Sequence, residues 1–172
     1  MSRAARRPAG KIARMRPMDT SAAARFWTAS GLTGEYTVER FGDSATLADA
    51  LLALVTDGRK RATASLVRQF AEEPMPRIGI HWIVCDGTGQ PRVILRTVEL
   101  RLGPFNSVTE DFAYAEGEND RTRDGWLDAH RAYFGRVCEA AGVTFDEDTE
   151  EVLFERFAVV HPPELADHAE LP

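Results

Sequence analysis

The sequence predicts an α+β domain built on a small antiparallel sheet. Helix signals come first, then a β-hairpin, then two more helices and a closing strand, and this order is typical of helices packed on one antiparallel sheet. Apolar residues make up 44% of the 172 residues and charged residues 28%, a composition typical of a globular domain. We expect a single domain over residues 19–162, between a basic tail at 1–18 and an acidic tail at 163–172.

Two helices are expected in the first third of the chain. A threonine–serine pair predicts the start of a helix over residues 20–30, because hydroxyl side chains satisfy the free amide groups of a first turn. Ser44 starts the second helix, in which leucines recur at the spacing of one buried face. Gly58 is expected to close that helix, since glycine adopts the left-handed conformation that ends many helices.

The rest of the chain alternates strands and helices. Residues rich in valine, isoleucine and aromatic side chains flank Gly87 and Gly89, which is the signature of a hairpin. A capping pattern begins at Ser107. The elements expected here are strands at 80–85 and 92–102, a short helix from 107 to 115, a long helix at 122–141 and a final strand at 152–160.

The charge is distributed unevenly along the chain. Residues 1–16 hold six basic residues and no acidic one, so residues 17–172 carry a net charge of −12. A body this acidic argues against broad electrostatic binding to a phosphate backbone. The basic segment has three open interpretations: a disordered tail without function, a contact to nucleic acid, or a targeting segment.

Composition also excludes several protein classes. The longest apolar run, residues 50–55, is far shorter than the ~20 residues of a membrane-spanning helix. Cys85 and Cys138 are 53 positions apart without CxxC spacing, which argues against a disulfide scaffold and a zinc ribbon. We therefore expect a cytoplasmic protein without metal or cofactor and without contact to a membrane.

Lysine use singles out one position. The chain has 19 arginines and two lysines, and Lys60 is the only lysine after residue 11. Lysine differs from arginine in being a compact amine whose pKa shifts readily. Lys60 lies among Arg59 and Arg61, before the hydroxyls of Thr63 and Ser65. This stretch is either a solvated basic turn after a helix or an amine paired with a hydroxyl nucleophile. The pairing requires the segment to turn, since an extended chain would point Lys60 and Thr63 to opposite faces.

A second candidate cluster is the acidic stretch from Glu116 to Asp120. Glu118 and Asp120 are suited to the start of the next helix, where the helix dipole favours carboxylates. Glu116 instead ends a short helix, where a negative charge opposes the dipole. That mismatch is a mild indication of a functional role for Glu116.

These clusters belong to an ordered set of motifs that spans residues 39–160. The chain contains, in order, Phe41-Gly42-Asp43-Ser44, Gly58-Arg59-Lys60-x-x-Thr63-x-Ser65, Asp86-Gly87-x-Gly89-x-Pro91, Phe112-Ala113-x-x-Glu116-Gly117-Glu118-x-Asp120 and Trp126-x-x-x-His130. On these residues it resembles the ASCH domain family. The resemblance implies a small PUA-like antiparallel β-barrel decorated by helices, with a nucleoside or RNA as ligand. The chain resembles the larger bacterial proteins of the family more than its small amidohydrolases, and Asn119 interrupts the Glu-Gly-Glu-Gly-Asp run that is usual in those larger proteins.

The resemblance also implies a site. One branch of the family hydrolyses the acetyl amide of N4-acetylcytidine with a lysine, a threonine three residues later and a glutamate, and these fall on Lys60, Thr63 and Glu116. In that scheme Thr63 is the nucleophile, and either Lys60 or Glu116 is the base. The residues expected to contact the substrate are Arg59, Arg61, Ser65, Glu118 and Asp120.

A second class of function stays open from the sequence. Other branches of the family are RNA-binding modules or show ribonuclease activity, so the same basic pocket is also compatible with a non-catalytic RNA-binding or regulatory role. Trp82 is expected to be a core residue rather than a base-stacking platform, and His130 a core or rim histidine rather than a catalyst, because each lies on an apolar face of its element. His81 and Cys85 share a strand face but lack the further ligands of a zinc site.

Overall fold

The structure, a computed structural model, describes residues 16–71 and 74–167. It contains four α-helices in these ranges: α1 Thr20–Ser30, α2 Ala45–Thr56, α3 Glu110–Glu116 and α4 Arg123–Ala140. Five strands accompany them: β1 Tyr36–Glu39, β2 Ala62–Leu66, β3 His81–Cys85, β4 Pro91–Pro104 and β5 Glu151–His161. Short 3₁₀ turns follow β2 and β4, at Val67–Phe70 and Phe105–Ser107. The chain is therefore α+β, as predicted.

The sheet is mixed, which corrects the expectation of a purely antiparallel barrel. Its strand order is β1-β3-β4-β5-β2, and β1 pairs with β3 in parallel while the other neighbours are antiparallel. Among the described residues β1 and β2 stand at opposite edges, and no closed barrel forms. β1 is not predicted from the sequence, because it is only four residues long. A parallel pair needs a long crossover connection, and α2 with β2 provides it.

Apolar side chains cover both faces of the sheet. On one face β2 and β5 pack against α3 and α4 through Phe105, Phe134 and Phe154. On the other, α2 packs on a cluster around Trp82 and Phe157. A smaller cluster seats α1 on the inner strands β3 and β4. The helices α3 and α4 lie against the β2 edge of the sheet, and this arrangement brings their polar residues near the start of β2.

Side-chain caps fix the helix starts close to the predicted positions. Ser44 accepts the Leu47 amide at the start of α2, as the sequence indicates. The cap of α3 is Thr109, which accepts the Phe112 amide, rather than Ser107. Ser107 instead donates to a backbone carbonyl and accepts from Arg101.

Both ends of the described chain contact the body. Arg40 donates to the Arg16 carbonyl, and Arg61 donates two hydrogen bonds, from Nε and Nη2, to the Asp167 carboxylate. The expected tails at 1–18 and 163–172 otherwise fall mostly outside the described residues, since residues 1–15 and 168–172 are not described. Within the described ranges, no helix has the length and apolar character needed to cross a membrane.

Candidate functional site

A cavity of about 600 Å³ opens on the sheet face that α2 covers, and the turn after α3 together with residues of α4 lines it on the side of the β2 edge. That volume lies within the ~300–1,000 Å³ typical of small-molecule sites. Two groups of polar side chains line it. We call Glu116 and His130, with Trp126 and Lys60 behind them, the helix wall, and we call Thr63, Thr97 and Glu155 the sheet wall.

Lys60 is fully buried at the base of the helix wall. Its amide donates to the Leu54 carbonyl at the end of α2, which fixes the backbone before β2 begins. Its ammonium Nζ lies 2.6 Å from Glu118 Oε1 and 3.6 Å from Glu116 Oε1. It also lies 5.6 Å from the centroid of the Phe41 ring. Because Glu116, Glu118 and Phe41 all line the cavity, the ammonium sits directly behind the cavity surface.

The turn that ends α3 brings the two acidic residues to Lys60. Gly117 adopts a left-handed conformation with φ 76°, and a Cβ there would collide with the Arg59 carbonyl, so only glycine fits. Arg59 Nε donates to the Gly117 carbonyl over 2.6 Å, and its Nη2 donates to the Asn119 carbonyl over 2.7 Å. These contacts hold Glu116 and Glu118 on either side of the turn against Lys60.

Glu116 is a buried carboxylate surrounded by donors. The indole Nε1 of Trp126 donates to its Oε2, and His130 Nε2 lies 3.4 Å from the same oxygen. Burial alone would raise the pKa of Glu116, but the charges of His130 and Lys60, together with these hydrogen bonds, outweigh it and lower the pKa below its ordinary value. Glu116 is therefore a stable anion at neutral pH.

His130 completes the helix wall. Its ring stacks on Trp126 at 3.8 Å between centroids and 13° between planes, as the i, i+4 spacing on α4 allows. Its Nδ1 lies 3.0 Å from the Trp126 carbonyl, which can only accept, so Nδ1 carries a proton. The second nitrogen then faces Glu116, and the Glu116 charge outweighs burial and raises the pKa of His130. A protonated His130 donates to both partners.

The sheet wall has different surroundings. Thr63 on β2 lies directly opposite Glu155 on β5, so their side chains share a face of the sheet. Thr97 of β4 donates its hydroxyl proton to Glu155 Oε1. Burial raises the pKa of Glu155 to about 7, with a further contribution from the charge of Glu39, against the hydrogen bond from Thr97, which lowers it.

The cavity lining as a whole is rich in carboxylates and aromatic rings. Aromatic rings of the lining include Phe41, Phe70 and Trp82. Charged side chains line the cavity as four glutamates and two arginines: Glu39, Glu116, Glu118, Glu155, Arg40 and Arg136. Arg136 already pairs with Asp43. Among the described residues, no group of three or more histidine, cysteine or acidic side chains is arranged to hold a metal ion.

The predicted site residues divide into two groups. Four of them line the cavity and Lys60 lies directly behind it: the lining residues are Thr63, Ser65, Glu116 and Glu118. Lys60 and Thr63 are not forced to opposite faces of one strand, because Lys60 precedes β2 and only Thr63 lies within it.

Three residues expected to contact substrate do not line the cavity. Arg59 holds the turn after α3, and Arg61 binds Asp167 and the Val55 carbonyl. Asp120 accepts from the amide and hydroxyl of Thr122 at the start of α4. Each of these charges is used to fix local structure, which sequence spacing does not reveal.

The titratable residues His130 and Glu155 of the cavity were not predicted as site residues. His130 was assigned to the core, and it is indeed buried, but it also contacts Glu116 and lines the cavity. Glu155 was not singled out, although a lone acidic residue between apolar positions of a strand was a usable signal. Trp82 is a core residue as expected and also lines the cavity. Its indole nitrogen has no hydrogen-bond partner among the described residues.

The family model for the ASCH domain matches residues 37–161 of this chain. The chain belongs to the ASCH domain family. The match contains both walls of the cavity, and it therefore ties the site to the part of the chain that defines the family.

Solved structures agree with this assignment. The ASCH domain from Lactobacillus crispatus JV V101 is 28% identical, with a TM-score of 0.75, and the match covers 83% of this chain and 96% of that one. Protein EF3133 from Enterococcus faecalis V583, of the family model DUF984, is 29% identical with a TM-score of 0.70, covering 88% and 95%. No curated protein matches this ASCH domain.

Proposed function

We propose that this ASCH domain protein hydrolyses the amide of a modified nucleoside, of the N4-acetylcytidine type, with Thr63 as nucleophile and Lys60 and Glu116 assisting. The observation that carries the proposal is the meeting of the Thr63 hydroxyl and the buried Lys60–Glu116 pair at one cavity. A hydroxyl nucleophile, a fixed charge cluster and a cavity of nucleoside size are the parts that acyl transfer needs.

The charge of the lining supports an uncharged substrate. Four carboxylates line the cavity together with two arginines and His130, and Lys60 lies directly behind it. These charges nearly balance, so the cavity offers no excess of positive charge to a phosphate group. Carboxylates accept hydrogen bonds from amino and hydroxyl groups, and a nucleoside offers both on its base and its ribose. The aromatic rings of Phe41 and Trp82 provide apolar surface for a flat base.

The helix wall is suited to an electrostatic role. Glu116 is held as an anion by Trp126, His130 and Lys60, so it is a poor acceptor for the Thr63 proton. Lys60 lies between Glu116 and Glu118 and is engaged in ion pairs with both. The sequence left Lys60 and Glu116 open as the base, and these surroundings favour neither of them. They favour an electrostatic role for Lys60, which stabilises the oxyanion from directly behind the cavity surface, since a fixed charge in a water-poor site acts strongly.

The RNA-binding and ribonuclease alternative has weaker support. Arg59 and Arg61, the cations offered for phosphate contact, are engaged with backbone carbonyls and Asp167. The net charge of −12 on residues 17–172 also has the opposite sign to the basic stripe expected of a protein that binds a nucleic-acid polymer.

The test is hydrolysis of N4-acetylcytidine by the full chain, followed by chromatographic separation of cytidine. We expect turnover, a fall in kcat on the order of 10²–10⁴-fold in Thr63→Ala, and partial retention in Thr63→Ser. Thr28→Ala, an exposed hydroxyl on α1, is the matched control and keeps full activity. Binding of the nucleoside or of RNA without turnover would replace the hydrolase by the binding-module alternative.

A further inference from the structure

Glu155 is a carboxylate of the cavity to which the ASCH resemblance assigns no role. It lies on β5 between a threonine on each neighbouring strand, Thr63 of β2 and Thr97 of β4. Directly opposed residues on antiparallel strands have Cβ atoms about 4.5–5.5 Å apart. A glutamate side chain is long enough to span that distance to the hydroxyl of the threonine opposite it, and both Thr63 and Glu155 line the cavity.

The burial of Glu155 requires an explanation. Only 8% of the residue is exposed, and in the described part of the chain it forms no ion pair. Its neighbours on the same strand face, Leu153 and Phe157, are apolar core residues. A buried carboxyl without a cation is costly to ionise, so a purely structural role would be better served by an apolar residue. Groups of this kind concentrate at functional sites.

The surroundings place Glu155 between its two protonation states. Glu39 of β1 adds a negative charge, and the hydroxyl of Thr97 donates to it from β4. Across the cavity, the charged groups of the helix side are Glu116, Glu118, His130 and Arg136, and Arg40 also lines the cavity. Burial raises the pKa of Glu155 to about 7, the charge of Glu39 adds to this rise, and the hydrogen bond from Thr97 opposes it. A proton acceptor is most effective when its pKa is near the working pH.

The other acidic and basic groups at the site are less suited to proton transfer. Glu116 accepts from Trp126 and lies against His130 and Lys60, which lower its pKa. Lys60 itself is fully buried and tied to Glu118 at 2.6 Å. Glu155 is the cavity carboxylate that stands opposite Thr63 in the strand register.

We propose that Glu155 is the proton-transfer residue for Thr63, an inference that rests on the proposed amide hydrolysis. The Glu155 carboxylate takes the hydroxyl proton as Thr63 Oγ1 bonds to the acyl carbon and the carbonyl electron pair moves to oxygen. The carbon–nitrogen bond then breaks, and the leaving nitrogen takes that proton from Glu155. In the second half a water molecule gives its proton to Glu155 and its oxygen to the acyl carbon. The carbonyl re-forms as the ester carbon–oxygen bond breaks, Thr63 Oγ1 takes that proton from Glu155, and the acyl group leaves as the carboxylic acid.

The first test is the kinetics of Glu155→Gln, which keeps the shape and hydrogen-bonding capacity of the side chain but cannot accept the proton. We expect kcat on N4-acetylcytidine to fall on the order of 10²–10⁴-fold with KM little changed. Wild-type kcat/KM should rise with pH through about 7 and level off above it, and this rise should vanish in the variant. Glu151→Gln, an exposed glutamate on the same strand, is the matched control with wild-type kinetics.

Some outcomes overturn the inference while the hydrolase stands. If Glu155→Gln turns over substrate at the wild-type kcat, with or without a raised KM, Glu155 is not the proton-transfer residue. Retention of the pH dependence in the variant has the same meaning. Thermal unfolding of the variant checks that a lost activity does not come from a lost fold.

A second test is independent of the substrate. With p-nitrophenyl acetate as acyl donor, mass spectrometry of peptides reports acetylation of Thr63. If wild type fails on N4-acetylcytidine, the proposed substrate is wrong, yet acetylation of Thr63 in wild type and its loss in Glu155→Gln still support proton transfer by Glu155. Equal acetylation in both proteins, or none in wild type, overturns it.

Discussion

The two walls of the cavity bury a glutamate each, and the two carboxylates behave in opposite ways. On the helix wall, Glu116 lies among Lys60, Trp126 and His130, and its pKa is lowered. On the sheet wall, Glu155 has the hydroxyl of Thr97 as its donor, and its pKa rises to about 7. Burial penalises both anions, so the difference comes from the charged donors around them.

This difference suggests a division of labour. A carboxylate paired with two cations is fixed in one charge state and contributes a constant field. A carboxylate without a cation changes its charge near neutral pH and can carry a proton. Variants on the two walls test this difference. The first removes the ion pair of the helix wall, and the second removes the titratable carboxyl of the sheet wall.

Removing the cation of the helix wall should have the largest effect. Lys60→Met keeps an unbranched side chain but leaves Glu116 and Glu118 without the ammonium. We expect the free energy of unfolding to fall by about 3–5 kcal/mol, since an uncompensated buried charge is costly. Urea unfolding at neutral pH measures the loss.

Two controls define that effect. The double variant Lys60→Met with Glu116→Gln should be more stable than the single variant, because the buried anion is also removed. Arg131→Met breaks a half-exposed ion pair to Glu147 and should cost at most about 1 kcal/mol. A Lys60→Met protein as stable as this control would contradict the account of the helix wall.

On the sheet wall we expect a smaller effect that depends on pH. The raised pKa of Glu155 means that the unfolded chain loses this proton first, so stability falls as pH rises from the ordinary 4.5 to about 7 and stays level above. The stability lost through this group is on the order of 3 kcal/mol. Glu155→Gln removes this pH-dependent loss, so the free energy of unfolding of the variant should rise relative to that of wild type between pH 4 and pH 8.

Denaturant unfolding at several pH values measures that gain. Glu151→Gln on the same strand should run parallel to wild type over the whole range. A constant difference between Glu155→Gln and wild type would mean that Glu155 does not titrate in this range.

Local patterns carried much of the fold. The helix of Ser44, the hairpin around Gly87 and the long helix from Thr122 follow from caps, turn residues and apolar spacing. The parallel strand β1 does not, because four residues give too short a pattern to separate from a loop. Its partner is also distant along the chain, so no local signal marks the parallel pairing.

The site was predictable where a residue type is rare and was missed where contact is long-range. Lys60 stood out as a solitary lysine, and it is fully buried against the two glutamates. Arg61 looked like a ligand of phosphate but binds Asp167, 106 positions away. Packing between elements determines the contact of His130 with Glu116 and the position of Glu155 between two threonines.

The smallest effect concerns His130, and its sign is opposite to that expected of a buried histidine without a charge partner. Glu116 raises the pKa of His130, whereas burial and Arg96 lower the pKa of His81 on β3. In one NMR titration His130 should therefore lose its proton above pH 6.5 and His81 below it. The Glu116→Gln variant should move His130 downward and leave His81 in place.

The same contact should appear in stability. Because the folded pKa of His130 is raised, its stabilisation is fully present below pH 6.5 and is lost as pH rises through the folded pKa. His130→Phe keeps a ring to stack on Trp126 but loses both nitrogen contacts. It should be less stable than wild type by about 1–3 kcal/mol at pH 6, and the gap should narrow at higher pH. A gap that widens with pH would show that His130 is neutral in the fold and that Lys60 is the cation that holds the Glu116 anion, with Trp126 as its neutral donor.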